Sequence, residues 1–156
     1  MGIHVVLYQP EIPANTGNIA RTCAATNTPL HLIHPLGFST EDKYLKRAGL
    51  DYWGFVNINH YDSLDHFFDE NKGGKYYLVT KFGKNRHTDF DLSNPDEEIY
   101  FIFGKETTGL PKDFIAQHPE SCMRLPMTNV RSLNLSNTAA ILVYEALRQQ
   151  NYPGLE

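Results

Sequence analysis

The sequence predicts an α/β protein with a mainly parallel β-sheet and helices on both faces of that sheet. Six short runs are rich in Val, Ile, Tyr and Phe and lack strict alternation with polar residues, which is typical of strands buried on both faces. Segments of helical length lie between most of these runs, as in βαβ units. With 156 residues the chain has the length of one domain, and we expect residues 1–156 to form it.

The strands and helices are predicted in chain order as follows. The first strand is an apolar run at residues 3–8, and the helix after it is placed at residues 16–26, next to the capping residue Asn15. A helix is placed at residues 111–117 because Pro111 suits a first helical turn. The other strands are predicted at residues 30–34, 55–58, 76–80, 99–103 and 122–125, and the other helices at residues 41–47, 63–71 and 135–150.

Composition and charge exclude several classes of protein. Hydrophobic residues make up 41% and charged residues 21% of the chain, which is neither a disordered nor a fibrous composition. The net charge of −4 argues against coating nucleic acid by bulk charge, but is compatible with a local basic patch. The isolated Cys23 and Cys122 indicate a reducing compartment and no cysteine-based zinc site. No signal peptide or membrane span is predicted, and we expect a cytoplasmic protein.

The last predicted helix is apolar on every side between residues 139 and 147, where only Glu145 is charged. Such a helix must be covered all round. One face of a small sheet covers only one side of it, so we predict that a partner subunit covers the other, most simply across a two-fold axis. The alternative is a helix at the centre of the core.

Glycine spacing argues against two common nucleotide sites. The chain contains no G-x-G, so the dinucleotide fingerprint of Rossmann folds is absent. Gly104 and Gly109 have the spacing of a phosphate-binding P-loop, but Leu110 and Pro111 stand where its Lys and Ser/Thr are required. Neither site is therefore expected.

Three polar loops each follow a predicted strand and lead into a helix, at residues 15–21, 104–111 and 125–137. Open α/β sheets bind ligands beyond the carboxyl ends of their strands. In the first loop, Arg21 is placed to bind a phosphate with both arms of its guanidinium. The alternatives are a capped helix with a solvated arginine for the first loop, a plain turn for the second and helix capping for part of the third.

Two basic clusters are candidates for RNA binding. Residues 81–87 carry three positive charges, no acid and one aromatic ring, which suits phosphates and a stacked base. Lys43, Lys46 and Arg47 form a second cluster on one short helix. The alternative for each cluster is an ordinary solvated surface.

The three loops, in this order, make the chain similar to the SPOUT methyltransferases. The resemblance is strongest to the small tRNA (cytidine/uridine-34-2′-O)-methyltransferases, which modify the wobble nucleotide of the anticodon. It covers essentially the whole chain, and its motifs form a specific signal only when taken together. They are residues 10–13 (PEIP), 15–21 (NTGNIAR), 47–52 (RAGLDY), 104–111 (GKETTGLP), 132–137 (SLNLSN) and 143–146 (VYEA).

The resemblance implies a C-terminal deep trefoil knot, a homodimer formed through helices at the knot and S-adenosylmethionine as methyl donor, without a metal. The implied reaction is 2′-O-methylation of nucleotide 34, a cytidine or modified uridine, in the anticodon stem-loop of tRNA. Carried over by position, the residues implied in the cofactor pocket are Val79, Thr80, Gly104, Leu125, Met127, Ser132 and Asn134.

The same resemblance assigns catalysis to Arg21, Glu106, Asn134 and Tyr144. We expect Arg21 to hold a phosphate and stabilise the developing alkoxide, because a guanidinium keeps its protons far above neutral pH. Glu106 and Asn134 are expected to orient the site, and Tyr144 to act from the partner helix. The residues implied in RNA binding are Asn15, Arg21, Lys43, Arg47, Lys81, Lys84, Arg86, Lys105 and Arg131.

The second loop departs from the family pattern. Many relatives have Pro-Glu-Thr-Arg-Gly where this chain has Lys105-Glu106-Thr107-Thr108-Gly109, so a positive charge has moved and the RNA contacts are expected to differ. The alternative functions are 2′-O-methylation of another tRNA or rRNA position, RNA binding without catalysis by the same fold, and binding of a small molecule by an unrelated α/β protein.

Overall fold

The computed structural model describes residues 2–156, and the side chains of all of these except residues 49–51. Its strands are β1 (Ile3–Tyr8), β2 (Leu30–Ile33), β3 (Ile58–Tyr61), β4 (Lys75–Val79), β5 (Asn85–Arg86), β6 (Ile99–Phe103) and β7 (Cys122–Arg124). These seven strands form one sheet in the order β3-β2-β1-β6-β4-β7-β5, and the strand pairs described in it are parallel. The helices are α1 (Pro13–Thr26), α2 (Lys43–Trp53), α3 (Leu64–Glu70), α4 (Lys112–Gln117) and α5 (Leu135–Gln149), with 3-10 turns at His87–Asp89 and Pro119–Ser121.

The predicted class, an α/β fold with a parallel sheet, is confirmed. β1 and β6 have the predicted bounds, β2 and β7 differ from the prediction by one residue at one end, and β4 differs by one residue at each end. The bounds of α3, α4 and α5 also differ by no more than one residue. The long apolar runs and the helix signals around them therefore located most of the fold.

α1 and β5 differ from the prediction for local reasons. α1 begins at Pro13, three residues before the predicted start, because a proline at the first position loses no helical hydrogen bond. β5 was missed altogether. It consists of the two exposed residues Asn85 and Arg86, so no apolar pattern marks it, and it lies within the basic segment 81–87 at the sheet edge beside β7.

α2 is longer than predicted, and β3 starts later as a result. Asp42 caps α2, its carboxylate accepting a hydrogen bond from the backbone N–H of Tyr44 at 2.8 Å, and the helix continues to Trp53 instead of ending at residue 47. The third strand was predicted at residues 55–58, but it begins at Ile58. Phe55, which suggested the earlier start, is 78% exposed and lies in the turn after the helix.

β1 and β6 lie at the centre of the sheet, and successive side chains alternate between two buried clusters. Val5 and Phe101 belong to a cluster with residues of α1 and α5. Val6 and Ile102 belong to a second cluster with Phe67 of α3, against which partly buried residues of α4 pack. Because helices cover both faces, these strands have no solvent-facing side, which explains why their sequences lack polar alternation.

α5 is covered on one side only within the single chain. Leu142, Val143 and Ala146 are buried against the core beside α1 and β1. On the opposite side, Ile141 is 39% and Tyr144 is 45% exposed. The sequence predicted an apolar helix that needs cover all round, and the chain itself supplies part of that cover.

Two buried histidines form a hydrogen-bonded row across neighbouring strands under α3. Nε2 of His4 lies 2.8 Å from the Glu98 carboxylate, and Nδ1 of His4 lies 2.9 Å from Nε2 of His31. Nδ1 of His31 in turn lies 2.8 Å from the Tyr61 hydroxyl, which also accepts a hydrogen bond from Asn71. Since a carboxylate only accepts, Nε2–H of His4 donates to Glu98, and both imidazoles fit the row in their neutral forms.

Burial disfavours the protonated form of both histidines. Burial, together with the smaller effect of the neighbouring His4, lowers the pKa of His31 to about 3. Burial also lowers the pKa of His4, against the opposing effect of its hydrogen bond to Glu98. The folded chain therefore excludes protons from this row at mildly acidic pH.

We predict that His31 makes the fold sensitive to acid. The unfolded chain binds a proton at this residue below the ordinary pKa of 6.5, whereas the folded chain does so only near pH 3. The contribution of His31 to the unfolding free energy is complete above pH 6.5. It decreases by up to about 1.4 kcal/mol per pH unit as the pH falls toward 3. His31→Gln should flatten the dependence of the unfolding free energy on pH between 6.5 and 4.5, measured with urea.

Tyr61→Phe is the matched control, since it removes a hydrogen bond of the row but keeps the titrating imidazole. This variant should be less stable at every pH and should keep the wild-type slope. A His31→Gln variant with the wild-type slope would contradict the assignment.

Candidate active site

The three polar loops lie on one side of the molecule because they follow parallel strands. Residues 15–21, which were predicted as the first loop, lie within α1 because the helix begins at Pro13, and the first loop is instead the short segment 9–12 between β1 and α1. The second loop follows β6, and the third follows β7 and ends at the start of α5. Carboxyl ends of parallel strands meet on the same side of a sheet, which is where open α/β folds place their ligands. The contacts between the loops define the site more closely.

Two carboxylates fasten the first loop to the second. Glu106 accepts hydrogen bonds from the backbone N–H groups of Glu11 at 2.9 Å and Ile12 at 2.8 Å. In the opposite direction, the Glu11 carboxylate accepts from the backbone N–H and the hydroxyl of Thr107, at 3.1 and 2.7 Å. The bonds from Thr107 lower the pKa of Glu11. Both carboxylates thus hold backbone in place.

Asn15, in the first turn of α1 just after the first loop, joins this helix to the second and third loops. Its Nδ2 group donates to Glu106 at 3.3 Å, and its Oδ1 atom accepts from Nδ2 of Asn134 at 3.0 Å. Oδ1 of Asn134 also caps α5, accepting from the backbone N–H of Ser136 at 2.9 Å. Asn15 is only 7% exposed, so it connects these segments from inside the protein, and both its Nδ2 and its Oδ1 atoms form hydrogen bonds.

The second loop closes on itself. Lys105 and Gly109 exchange two backbone hydrogen bonds, of 3.1 and 2.9 Å, and Gly109 has a φ of +73° that favours glycine. A Cβ atom on Gly104 would lie 2.1 Å from the carbonyl carbon of Gly109 and 2.2 Å from the amide nitrogen of Leu110. The two glycines whose spacing resembles a P-loop therefore serve this tight closure.

The third loop, in contrast to the second, is open and exposed. Residues 126–133 are exposed, and none of them has a backbone hydrogen bond to backbone of another described residue. Three of their apolar side chains are large and exposed, namely Met127, Val130 and Leu133, at 36%, 57% and 41%. Free backbone donors and acceptors beside uncovered apolar side chains suit a ligand that has both polar groups and a flat apolar ring.

Arg21 lies on α1 with its side chain exposed, and its guanidinium carbon is 5.0 Å from the centre of the Tyr52 ring. Tyr52 belongs to α2, which packs against α1. This cation–π contact leaves the N–H groups at the edge of the guanidinium free to bind an anion. Sequence reasoning did not single out Tyr52, although it lies within the motif at residues 47–52.

The remaining predicted residues lie around this centre. Lys43 and Arg47 are exposed on α2, and Lys81, Lys84 and Arg86 are exposed in and beside β5. Lys105 is partly buried in the second loop, and Arg131 is exposed in the third. Tyr144 lies on the exposed side of α5. In the cofactor set, Val79 is the last residue of β4 and Thr80 follows it, Leu125 is buried after β7, and Ser132 is exposed in the third loop.

The part of the chain that the structure describes shows no sign of a metal site, a reactive thiol or a membrane span. No cluster of three His, Cys, Asp or Glu side chains is arranged there to hold a metal ion. Cys23 and Cys122 are buried free thiols, and burial raises the pKa of Cys23 to about 12, far from a reactive thiolate. None of the described helices is long and apolar enough to cross a membrane.

Comparison with known proteins identifies the family. A model of the SpoU rRNA methylase family matches residues 2–144. A provisionally named tRNA (cytidine(34)-2′-O)-methyltransferase of Geobacillus stearothermophilus is 71% identical over 156 residues, covering 99% of each chain. The crystal structure of a provisionally named RNA methyltransferase from Bacillus anthracis is 65% identical, with a TM-score of 0.94 and coverage of 99% of this chain and 98% of that one.

A further solved structure concerns the 2-OH methylation of C/U34 on tRNA. It is 42% identical to this chain, with a TM-score of 0.89 and coverage of 96% of both chains. The similarity thus extends over the sheet, the helices and the three loops together. It confirms the family that the sequence motifs predicted: this chain belongs to the SpoU rRNA methylase family.

Proposed function

We propose that this protein transfers a methyl group from S-adenosylmethionine to the ribose 2′-oxygen of nucleotide 34 in tRNA. The main support for the proposal is the pair of hydrogen bonds made by Asn15. They hold Glu106 of the second loop and Asn134 of the third loop beside the start of α1. The relative and the structure described above are named for methylation of cytidine 34 and of C/U34. Because tRNA is the substrate, we place the activity in the cytoplasm.

The third loop supports S-adenosylmethionine as the cofactor. When bound, this group supplies a methyl on a cationic sulfur that leaves as a neutral thioether. The free backbone of residues 126–133 can bind its polar groups, and the exposed side chains of Met127 and Leu133 can cover its adenine. The residues that would hold it are Val79, Thr80, Gly104, Leu125, Met127, Ser132 and Asn134.

Arg21 would bind the phosphate beside the target ribose and stabilise negative charge on the 2′-oxygen. A guanidinium gives up its protons very reluctantly, so the proton of the 2′-hydroxyl would be lost late in the transfer or to another acceptor, such as water, rather than to Arg21. The contact with Tyr52 orients it without using its N–H groups. Alignment of the attacking oxygen with the methyl group then supplies much of the rate enhancement.

Glu106 and Asn134 would position the site rather than exchange protons with the substrate. The Glu106 carboxylate accepts from two backbone N–H groups and from Asn15, which occupies both of its oxygens. Asn134 is bound to Asn15 and caps α5. For Asn15, whose side chain is buried, we favour the same positioning role over direct contact with RNA.

Exposed cations around the loops would bind the RNA backbone. Phe82, next to Lys81 and Lys84 in the segment before β5, is 59% exposed and suits stacking with a base. Lys105 and Arg131 extend the positive charge along the second and third loops. The full set proposed for phosphate contacts is Arg21, Lys43, Arg47, Lys81, Lys84, Arg86, Lys105 and Arg131.

The exposed side of α5 supports a homodimer. Ile141 and Tyr144 form an apolar strip on a helix whose other side is buried, and a second copy would cover it. Tyr144 would then face the site of the partner. A C-terminal trefoil knot is supported by the chain path, because the chain leaves β7 beside β4 and returns across β6 to pack α5 near α1 and β1.

The function is tested by incubating the protein with S-adenosylmethionine and a panel of tRNAs. Nucleoside mass spectrometry should detect a 2′-O-methylated nucleotide at position 34 in at least one tRNA, because the three loops and the basic surface converge on one site. Methylation at another position only, or in no tRNA, would overturn the proposal.

Arg21→Ala should lower kcat by about 100-fold or more, because the charge on the 2′-oxygen loses its stabilising partner. Arg21→Lys should recover only part of the rate, since an ammonium lacks the planar fork. Binding of S-adenosylhomocysteine, measured by calorimetry, should stay near the wild-type value in both variants. Loss of this binding in Arg21→Ala would show that Arg21 acts on the cofactor instead.

Glu106→Ala should destabilise the fold by about 1–3 kcal/mol, because two backbone N–H groups lose their acceptor. Glu120→Ala, at an exposed glutamate in the turn before β7, is the control and should change the unfolding free energy little. Glu106→Gln should lower kcat while the pH–rate profile keeps its shape. Loss of an ionisation from that profile would instead identify Glu106 as a proton acceptor.

A further inference from the structure

α2 carries an exposed aromatic ring with two cations close to it. Tyr44 is 48% exposed, although it lies in the first turn of a helix that packs well against α1. The Lys43 ammonium nitrogen is 5.1 Å and the Arg47 guanidinium carbon is 6.0 Å from the centre of its ring. The fold does not bury this ring, so its packing does not explain the cluster.

The two cations beside Tyr44 differ from a third cation on the same helix. The Lys46 ammonium is 2.6 Å from the Glu41 carboxylate, so its charge is already paired. Neither Lys43 nor Arg47 has an acidic partner among the side chains that the structure describes. In a chain with a net charge of −4, this leaves a local excess of positive charge around one ring.

The position of the cluster relates it to Arg21. Tyr52, which contacts Arg21, lies eight residues after Tyr44 on α2, about 12 Å along the helix and within a quarter turn around it. Arg21 thus contacts α2 near its end, at Tyr52, and Tyr44 with its two cations lies near the start of the same helix. A surface of this composition suits single-stranded nucleic acid, in which phosphates and unstacked bases alternate.

We propose that Lys43, Tyr44 and Arg47 form a binding site for single-stranded RNA, in which Tyr44 stacks on a nucleobase and the two cations bind the phosphates beside it. The proposal rests on the proposed function and deepens it: the base would belong to an anticodon-loop nucleotide near the one whose ribose reaches Arg21. RNA is favoured over an acidic protein because an exposed ring with two cations beside it can bind both the base and the phosphates of a nucleotide.

The test compares Tyr44→Ala with Tyr44→Phe in binding to a fluorescently labelled anticodon stem-loop RNA. Tyr44→Ala should raise Kd, and KM for the same RNA, about fivefold or more, because the stacking surface is lost. Tyr44→Phe keeps the ring and should stay within about twofold of wild type. Tyr152→Ala, at a tyrosine that is 43% exposed near the end of the chain, is the control for loss of an exposed ring.

The cations are tested through the salt dependence of the same binding. Lys43→Ala should lower the slope of log Kd against log salt concentration by about 0.7, as expected for one lost phosphate contact with a single strand. Lys46→Ala should change the slope less, since Glu41 already pairs with Lys46. Unchanged melting temperatures of these variants would show that the fold is intact.

The outcomes separate this proposal from the proposed function. A wild-type protein that methylates tRNA while Tyr44→Ala keeps the wild-type Kd and KM would overturn the RNA site and leave the function standing. Binding that depends on Tyr44, without any methylation by the wild type, would support the site and overturn the function. A change in self-association of Tyr44→Ala, seen by sedimentation with no change in RNA affinity, would assign this surface to a second copy and overturn the site.

Discussion

The buried amide of Asn15 is the contact on which the arrangement of the site depends. It donates to Glu106 and accepts from Asn134, so one side chain ties the start of α1 to the loop after β6 and to the first turn of α5. A buried amide that lost either partner would pay the desolvation cost of an unsatisfied polar group, so the three segments keep one another in place. They can meet only because the parallel sheet brings β1 and β6 to the same side as neighbours.

The second loop is closed by its own hydrogen bonds, whereas the third loop leaves its backbone groups free. The second loop is closed by two backbone hydrogen bonds between Lys105 and Gly109, and its Gly104 leaves no room for a side chain. Residues 126–133 have no backbone hydrogen bond to other described backbone, yet they lie between a strand and a helix that are both firmly packed. A site that combines a rigid loop with a loop of free donors and acceptors is preorganised, because it can bind a polar ligand without a large conformational change.

The cations of the chain fall into two groups. Some form ion pairs with acids on the surface, as Lys46 does with Glu41 and Arg148 with Glu145. Arg21, Lys43 and Arg47 contact aromatic rings instead, which keeps them extended at modest cost and leaves their charge available to an anion. A net charge of −4 is therefore compatible with RNA binding, because affinity for phosphate depends on local cations within about a Debye length and not on the sum over the chain.

Local patterns of residues predicted the fold class, the two central strands and the polar loops after β6 and β7, because each of these leaves a pattern within a short segment. The first loop was misplaced, since residues 15–21 are helical. The sequence also contained the motifs that relate the chain to its family. The packing of the chain was needed to show that Glu106 holds the backbone of Glu11 and Ile12, that Asn15 is buried between two loops, and that Tyr52 lies against Arg21. Glu106 and Glu11 are 95 positions apart along the chain. Such contacts depend on which strands become neighbours in the sheet, and no local pattern of residues records that order.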